Sequence, residues 1–306
     1  MSARLLLLLV LGNLFWSAHP TLAKFVLRDF SPLETAWLRY FGAFVAWLIM
    51  LPFFRRRGSL LPRGAKANEK FWIFAVGAAC FALGPWMQVT GLAQSSAVDN
   101  ALIVAMEPLL TVLLAMIFLR EVPRLFDGLS FLLALAGFVV LSGGVSAEGA
   151  FDFRMGNMLL LLSLVGESSF SVLGRGYAQR FAAFPLFGGT MVAGIFTLTA
   201  IALWQGALPV AHFSERITWT SGLALLWLGP FGTTLSYVFW MSALSKAPVA
   251  SVALTLLVQP LFGALWGTLF LAEPFPLAKQ LGGGLILAGL LLTAWQRPAE
   301  AGPTQA

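Results

Sequence analysis

Apolar segments of about twenty residues follow one another along almost the whole chain. A helix needs about 20 predominantly apolar residues to cross the hydrocarbon core of a bilayer. On that measure the 306 residues contain ten segments, at 4–24, 33–54, 71–93, 98–119, 125–145, 155–178, 184–205, 217–242, 248–271 and 277–296. The longest polar stretch, residues 55–70, leaves no room for a separate soluble domain. The sequence therefore predicts an all-α polytopic membrane protein with ten transmembrane helices.

The composition excludes several other classes of protein. Hydrophobic residues make up 59% of the chain and charged residues 10%, against roughly 45–50% and about 25% in soluble domains. The net charge of +6 comes from basic residues that lie between apolar segments, so we expect no nucleic-acid partner. The single cysteine, Cys80, excludes an internal disulfide and a multi-thiolate metal site, and we expect neither metal nor cofactor.

The distribution of Lys and Arg predicts the orientation. With the N-terminus inside, 13 of these residues fall on the cytoplasmic side and 6 on the other, so the positive-inside rule places both termini in the cytoplasm. The first segment also resembles a secretory signal peptide, with Arg4, an apolar run and small residues near Ala23. Its continuation to Val26, with a Trp, a His and a Pro inside it, favours a transmembrane helix.

The chain contains an internal repeat. A shift of 152 residues aligns residues 92–137 with 244–289 without a gap, and it matches Pro108 with Pro260 and Glu121 with Glu273. We therefore predict two repeats, residues 1–146 and 147–306. Each holds five predicted helices, an odd number, so the second repeat must enter the membrane from the opposite side. Inverted repeats around a central cavity are typical of secondary transporters.

Short motifs point to the same architecture. They are Leu14-Phe15-Trp16-Ser17, Asp29-Phe30-Ser31-Pro32 and Leu38-Arg39-Tyr40, then Glu107-Pro108-Leu109 with Phe118-Leu119-Arg120-Glu121, and Gln259-Pro260-Leu261 with Phe270-Leu271-Ala272-Glu273. Together they resemble the EamA family of the drug/metabolite transporter superfamily. The resemblance implies a ten-helix carrier of the bacterial inner membrane, with a cavity lined by helices 1, 3, 4, 6, 8 and 9. It implies no particular substrate, because family members transport chemically diverse compounds.

Two proline-containing breaks lie at equivalent places in the repeats. Pro108 follows Glu107, and Pro260 follows Gln259. Because proline has no N–H, each break frees a backbone carbonyl, which is tolerated at membrane depth beside protein or a water-filled cavity. We expect two kinked helices that face each other, one presenting a carboxylate and the other an amide.

Other candidate residues are ionisable or aromatic side chains within predicted spans. Ionisable groups there are costly and usually face a cavity, so His19, Glu107 and Glu167 are candidates for substrate binding and for proton coupling. Trp16 lies three residues before His19, on the same helical face.

Trp86, Tyr237 and Trp240 lie on helices expected to line the cavity, where an aromatic ring can bind a cation. Packing within the bundle is the structural alternative for all of these side chains. We expect Arg39 to reach the membrane surface or to pair with Glu34 or Asp29.

The sequence thus predicts a secondary transporter, not an enzyme, that exports amino acids or amino-acid-derived compounds by alternating access. A carboxylate, an amide and aromatic walls suit a zwitterion. Efflux of cationic drugs or quaternary amines is the alternative, as is metabolite uptake. Proton exchange and facilitated diffusion both remain open, as do monomer and homodimer. The expected partners are a small-molecule substrate and the lipid bilayer.

Overall fold

The part of the protein that the structure describes is almost entirely helical. A computed structural model describes residues 3–54, 64–119, 125–141, 154–173, 181, 183–244 and 255–296, and these residues contain no β-strand. The α-helices are α1 Ala3–Ser17, α2 His19–Val26, α3 Pro32–Phe54, α4 Ala67–Ala78, α5 Gly84–Ala93, α6 Ala97–Val104, α7 Glu107–Leu119, α8 Leu125–Leu141, α9 Met155–Leu173, α10 Ala183–Trp204, α11 Phe213–Arg216, α12 Trp219–Leu228, α13 Ser236–Leu244, α14 Val258–Leu271 and α15 Leu277–Gln296.

Four shorter helical segments complete the described chain. The π-helical segments Ala79–Leu83 and Pro230–Leu235 connect α4 to α5 and α12 to α13. The 3₁₀ turns Pro209–His212 and Thr255–Leu257 precede α11 and α14.

Apolar helices of membrane-spanning length are present in both halves of the chain. Within the described ranges, five are long and apolar enough to cross a bilayer, at Leu6–Val26, Pro32–Pro52, Ala67–Ala93, Phe184–Trp204 and Trp219–Trp240. Four shorter apolar helices lie at Gly128–Leu141, Met155–Phe170, Val258–Leu271 and Leu277–Leu292. The predicted all-α membrane class is confirmed, while the number of ten crossing helices stays a prediction.

Helix boundaries repeat along the chain with the spacing found in the sequence. Two pairs of helices begin 152 residues apart, α4 and α12 (Ala67, Trp219) and α5 and α13 (Gly84, Ser236). Under the same shift the two π-helical segments overlap and end at equivalent residues, Leu83 and Leu235. The two-repeat architecture therefore extends to irregular features of the backbone. The predicted boundary between residues 146 and 147 lies outside the described residues.

Helices α8 and α15 meet at the pseudo-twofold axis that relates the repeats. A Cβ atom added to Gly137 would lie 2.5 Å from the carbonyl oxygen of Gly282, and one added to Gly289 would lie 2.5 Å from that of Ser130. Under the 152-residue shift, Gly137 corresponds to Gly289 and Ser130 to Gly282, so the two contacts are equivalent. Because residue numbers rise along α8 as they fall along α15, the helices run antiparallel, as an inverted repeat requires.

The repeats are interwoven rather than side by side. Helix α5 of the first repeat packs on α9 of the second, and α13 of the second packs on α1 of the first. Helix α4 likewise packs on α10. One hydrophobic cluster accordingly combines Trp47 with Phe187, and another combines Leu102 with Ile286. The central space of the bundle is therefore enclosed by both repeats.

A buried ionic cluster connects the repeats at one end of the bundle. Asp99 on α6 is fully buried, and its carboxylate lies 3.0 Å from Lys279 Nζ on α15 and 3.8 Å from an Arg154 guanidinium nitrogen. The Glu273 carboxylate accepts hydrogen bonds from the backbone N–H groups of Ala97 (2.8 Å) and Val98 (2.9 Å). It thereby caps the N-terminus of α6 from a distant part of the chain.

A second polar cluster joins the α2–α3 loop to the start of α12. Arg216 forms a two-pronged ion pair with Glu34, at 2.6 and 2.9 Å, and this raises the pKa of Arg216. The Asp29 carboxylate accepts hydrogen bonds from Thr218 and Ser221. Partial burial pushes the pKa of Asp29 upward, but these hydrogen bonds outweigh that effect and hold the pKa below its usual range.

Candidate functional site

A cavity lies between the two repeats, in the middle of the bundle. Its volume is about 80 Å³, which is room for several water molecules. It is lined by Trp16, Ser17, His19, Pro20, Arg39, Gln88, Asn100, Ala101, Val104, Glu107, Glu167, Phe170, Tyr237, Trp240, Leu256 and Gln259. The lining comes from α1, α2, α3, α5, α6, α7, α9, α13 and α14 together with the turn before α14, so both repeats contribute.

The structure brings together seven of the eight residues predicted to bind substrate. Those that line the cavity are Trp16, His19, Glu107, Glu167, Tyr237, Trp240 and Gln259. Trp86 does not line it. Its side chain packs against a hydrophobic cluster that includes Tyr40 and Phe81. Its position therefore indicates a role in packing.

The helix breaks at Pro108 and Pro260 are more complete than kinks. Helix α6 ends at Val104, a turn follows, and α7 begins at Glu107 with Pro108 as its second residue. In the second repeat, Pro260 is the third residue of α14 and follows a 3₁₀ turn. Both prolines therefore lie in the first turn of a helix, where a missing N–H is tolerated. We expected a kink at each proline; in the first repeat the chain instead forms two separate helices, α6 and α7, and in the second repeat α14 follows a 3₁₀ turn that begins at Thr255, before which the chain lies outside the described residues.

Two carboxylates line the cavity from different repeats. Glu107 begins α7 and Glu167 lies in α9, and the two lie close enough for their charges to interact. The backbone carbonyl of Glu107 accepts hydrogen bonds from Thr111 (2.9 Å) and Ser168 (3.3 Å). Within the described part of the chain, neither carboxylate has a hydrogen bond or an ion pair. Both side chains are thus available to a ligand or a proton.

Arg39 and His19 form a hydrogen-bonded pair at the cavity wall. Arg39 Nη1 lies 2.6 Å from His19 Nε2, and Arg39 Nε donates to Thr233 Oγ1 over 3.0 Å. Because a guanidinium has no acceptor, His19 Nε2 must be the acceptor and carries no proton in this arrangement. The sequence-based expectation for Arg39 was wrong: it is 6% exposed, and its partners are these two side chains rather than Glu34 or Asp29.

Aromatic rings form one side of the cavity. Trp16 packs edge-on against Tyr237 and against Trp240, with ring centroids 5.1 and 5.8 Å apart. Tyr237 also stacks on Phe187 at 5.2 Å. This arrangement orients the indole and phenol rings as a preformed wall.

Amide side chains supply the neutral polar part of the lining. Gln259 donates to Asn13 Oδ1 over 2.7 Å, and Asn13 in turn donates to Thr255 over 3.0 Å. Asn100 is 1% exposed, and among the described residues its side-chain oxygen and nitrogen have no hydrogen-bond partner. Buried polar atoms are normally hydrogen-bonded, so the unused donors and acceptor of Asn100 point to a ligand or water in the cavity.

Comparison with known families decides the class of the protein. The profile of the EamA-like transporter family matches residues 3–143 and again residues 154–295. The chain belongs to the EamA-like transporter family. The two matches coincide with the two structural repeats, and the predicted family membership is confirmed.

Related proteins align with nearly the whole of this chain. An uncharacterized transporter of Archaeoglobus fulgidus is 25% identical over 300 residues, covering 95% of this chain and 99% of the relative. A WAT1-related chloroplast protein of Arabidopsis thaliana is 26% identical, covering 91% of this chain and 66% of the relative. One solved crystal structure superposes with a TM-score of 0.64 at 19% identity, covering 96% of this chain and 97% of that one. That likeness shows a shared fold.

The protein is therefore a multi-pass membrane transporter and not an enzyme. In this EamA-like transporter the cavity lies between repeats, where inverted-repeat carriers bind their substrates. Among the lining residues that the sequence did not predict is Arg39. Arg39 comes from the second predicted helix, which was not expected to line the cavity.

Proposed function

We propose that this EamA-like transporter exports amino acids or amino-acid-derived compounds across the bacterial inner membrane by alternating access. The observation that carries the proposal is the shared cavity, in which two carboxylates, an amide and an aromatic wall from both repeats converge. The carboxylates and the aromatic wall suit the ammonium group of a small zwitterion, and the amide can orient the rest of the molecule.

The carboxylates and the aromatic wall are assigned to the ammonium end of the substrate. Glu107 and Glu167 would accept hydrogen bonds from an ammonium group, and charge-assisted bonds of this kind are roughly twice as strong as neutral ones. Trp16 and Trp240 would contact the cation through their ring faces, an interaction worth about 2 kcal/mol when desolvated. Gln259 would orient the substrate through its amide.

Proton exchange is the proposed energy source. A proton on Glu107 or Glu167 removes the negative charge that attracts an ammonium group, so proton and substrate compete for the same carboxylates. Such competition is what an exchanger requires. His19 is a third candidate, because protonation of Nε2 would end its hydrogen bond with Arg39. Facilitated diffusion without protons is the alternative within the same cavity.

Efflux of cationic drugs or quaternary amines is the second candidate function. It is supported by the same pair of carboxylates and the same aromatic wall, which would also suit an organic cation. Uptake rather than export is a further alternative, since alternating access operates in both directions.

Counterflow in proteoliposomes tests the proposal. The purified protein should exchange internal unlabelled amino acids for external labelled ones, with saturation and with a dependence on the pH gradient. Glu107→Gln should lower pH-driven transport by at least about tenfold, since removal of one specific charged contact costs about 1.5–3 kcal/mol. Glu215→Gln, at an exposed position outside the cavity, is the matched control. Unchanged transport and pH dependence in Glu107→Gln would exclude this carboxylate from the mechanism.

A further inference from the structure

Arg39 is a buried cation whose hydrogen-bond partners are uncharged. The side chain is 6% exposed and contacts the hydroxyl of Thr233 and the ring nitrogen of His19. Burial of a charge is costly unless the charge is paired. In the part of the chain that the structure describes, no carboxylate oxygen lies within the 4.0 Å of an ion pair with this guanidinium.

Other charges in the protein are paired in a way that Arg39 is not. Lys279 lies 3.0 Å from the Asp99 carboxylate, and Arg216 holds both oxygens of Glu34. Glu167 is near enough to Arg39 for an electrostatic interaction, but it is beyond ion-pair distance. The positive charge of Arg39 is therefore available to an anion in the cavity.

The geometry of the guanidinium favours a planar anion with two oxygens. A guanidinium has five N–H donors, and the two bonds described above occupy one donor on Nε and one on Nη1. Among the described residues, neither donor on Nη2 has a hydrogen-bond partner, and the group lines the cavity. The Tyr40 ring supports it from one side, with its centroid 5.1 Å from the Arg39 Cζ atom. A planar fork fixed in this way matches a carboxylate.

We propose that Arg39 binds the carboxylate of the transported compound. The inference rests on the proposed function, because it assigns the opposite end of the same zwitterion from Glu107 and Glu167. His19 and Thr233 hold the guanidinium in position by hydrogen bonds, and the guanidinium itself contacts the substrate carboxylate. The substrate class is thereby narrowed to compounds that carry a carboxylate, and an organic cation without one leaves the buried charge of Arg39 unpaired.

The discriminating measurement compares each amino acid with its amide. The probes are the twenty protein amino acids and their C-terminal amides, which keep the ammonium group and lose the negative charge. Binding to the purified full-length protein is followed by ligand-induced thermal stabilisation. The wild type should bind at least one acid about tenfold or more tightly than its amide. A site built around a charged hydrogen bond rejects analogues that lack the partner.

Variants separate recognition from folding. Arg39→Lys keeps the charge but loses the fork, and Arg39→Gln loses both, so the preference for acid over amide should fall in Arg39→Lys and vanish in Arg39→Gln. Should both variants fail to fold, Thr233→Val supplies the test. Thr233→Val removes the hydroxyl that accepts the hydrogen bond from Arg39 Nε. It should lower the ratio of acid affinity to amide affinity severalfold, although the charge of Arg39 remains. Arg216→Lys is the control, because it weakens an ion pair outside the cavity and should leave the ratio unchanged.

The outcomes distinguish this inference from the proposed function. If the Arg39 or Thr233 variants prefer the acid over the amide as strongly as the wild type does, Arg39 does not bind the substrate carboxylate. The proposed transport of amino acids is unaffected by that result. A wild type that binds amides as tightly as acids also overturns the role of Arg39, and favours the organic-cation alternative. A wild type that binds neither set overturns the proposed function together with this inference.

Discussion

At the scale of single residues, the ionisable and aromatic side chains within predicted transmembrane helices pointed to the cavity, and seven of its sixteen lining residues were predicted. Ionisable and aromatic side chains are conspicuous in apolar helices, and His19, Glu107 and Glu167 all line one space. Arg39 could not be placed in the same way. Its position near the start of a helix indicated a surface residue, whereas its partners are 20 and 194 residues away in the chain. Contacts of that kind depend on tertiary packing, which a local pattern does not contain.

Asp29 provides a prediction about pH at the residue scale. Its pKa is lower in the folded protein than in the unfolded chain, so its ionised carboxylate stabilises the fold above the ordinary aspartate pKa, about 3.9. That contribution is lost as the pH falls through the lower, folded-state value. Asp29→Ala should therefore reduce thermal stability at neutral pH, by about 1 kcal/mol or less because the group is largely exposed.

The check is a thermal unfolding series of wild type and Asp29→Ala from neutral pH to below pH ~4. The two proteins should converge at the acid end. A gap that stays constant over the whole range would mean that Asp29 does not act as an ionised acceptor for Thr218 and Ser221.

At the scale of helices, the 152-residue spacing was visible in the sequence because Pro and Glu recur at fixed separation. The helix starts and the two π-helical segments follow the same spacing. The way in which helices of one repeat pack between those of the other was not predictable, since apolar helices have similar sequences on lipid-facing and protein-facing sides. Whether each proline would kink a helix or lie in the first turn of a new one was not predictable for a related reason. A proline tolerates both a kink within a helix and the first turn of a new one.

Close packing of α8 against α15 gives a prediction at the helix scale. A side chain at Gly137 would lie 2.5 Å from the backbone of α15, so Gly137→Ala should destabilise the protein by about 1–3 kcal/mol, as overpacking does. Gly284 in α15 is the matched control, because a Cβ there meets no atom within 4 Å. Gly284→Ala should be neutral or stabilising by up to about 1 kcal/mol. Thermal unfolding in detergent measures both, and equal effects would contradict the antiparallel contact described here.

At the scale of the whole molecule, an inverted repeat fixes which ends of the helices share a side of the membrane. The positive-inside rule places Asn68 in the cytoplasm and Gln205 outside, and both are exposed. Cys80 is buried, so it should give little background labelling. A membrane-impermeant maleimide should label Gln205→Cys in intact cells and Asn68→Cys only after the cells are opened. The reverse pattern would invert the predicted orientation.

The proposed activity of this EamA-like transporter is the export of a small metabolite through the cavity that contains Glu107. The most direct measurement compares intracellular and extracellular metabolite profiles of cells that carry the wild type, Glu107→Gln or an empty vector, with protein levels matched. One class of carboxylate-containing amine should be depleted inside and enriched outside with the wild type alone. Identical profiles in all three strains would contradict metabolite export, and an enrichment that persists with Glu107→Gln would contradict the role of the cavity carboxylate.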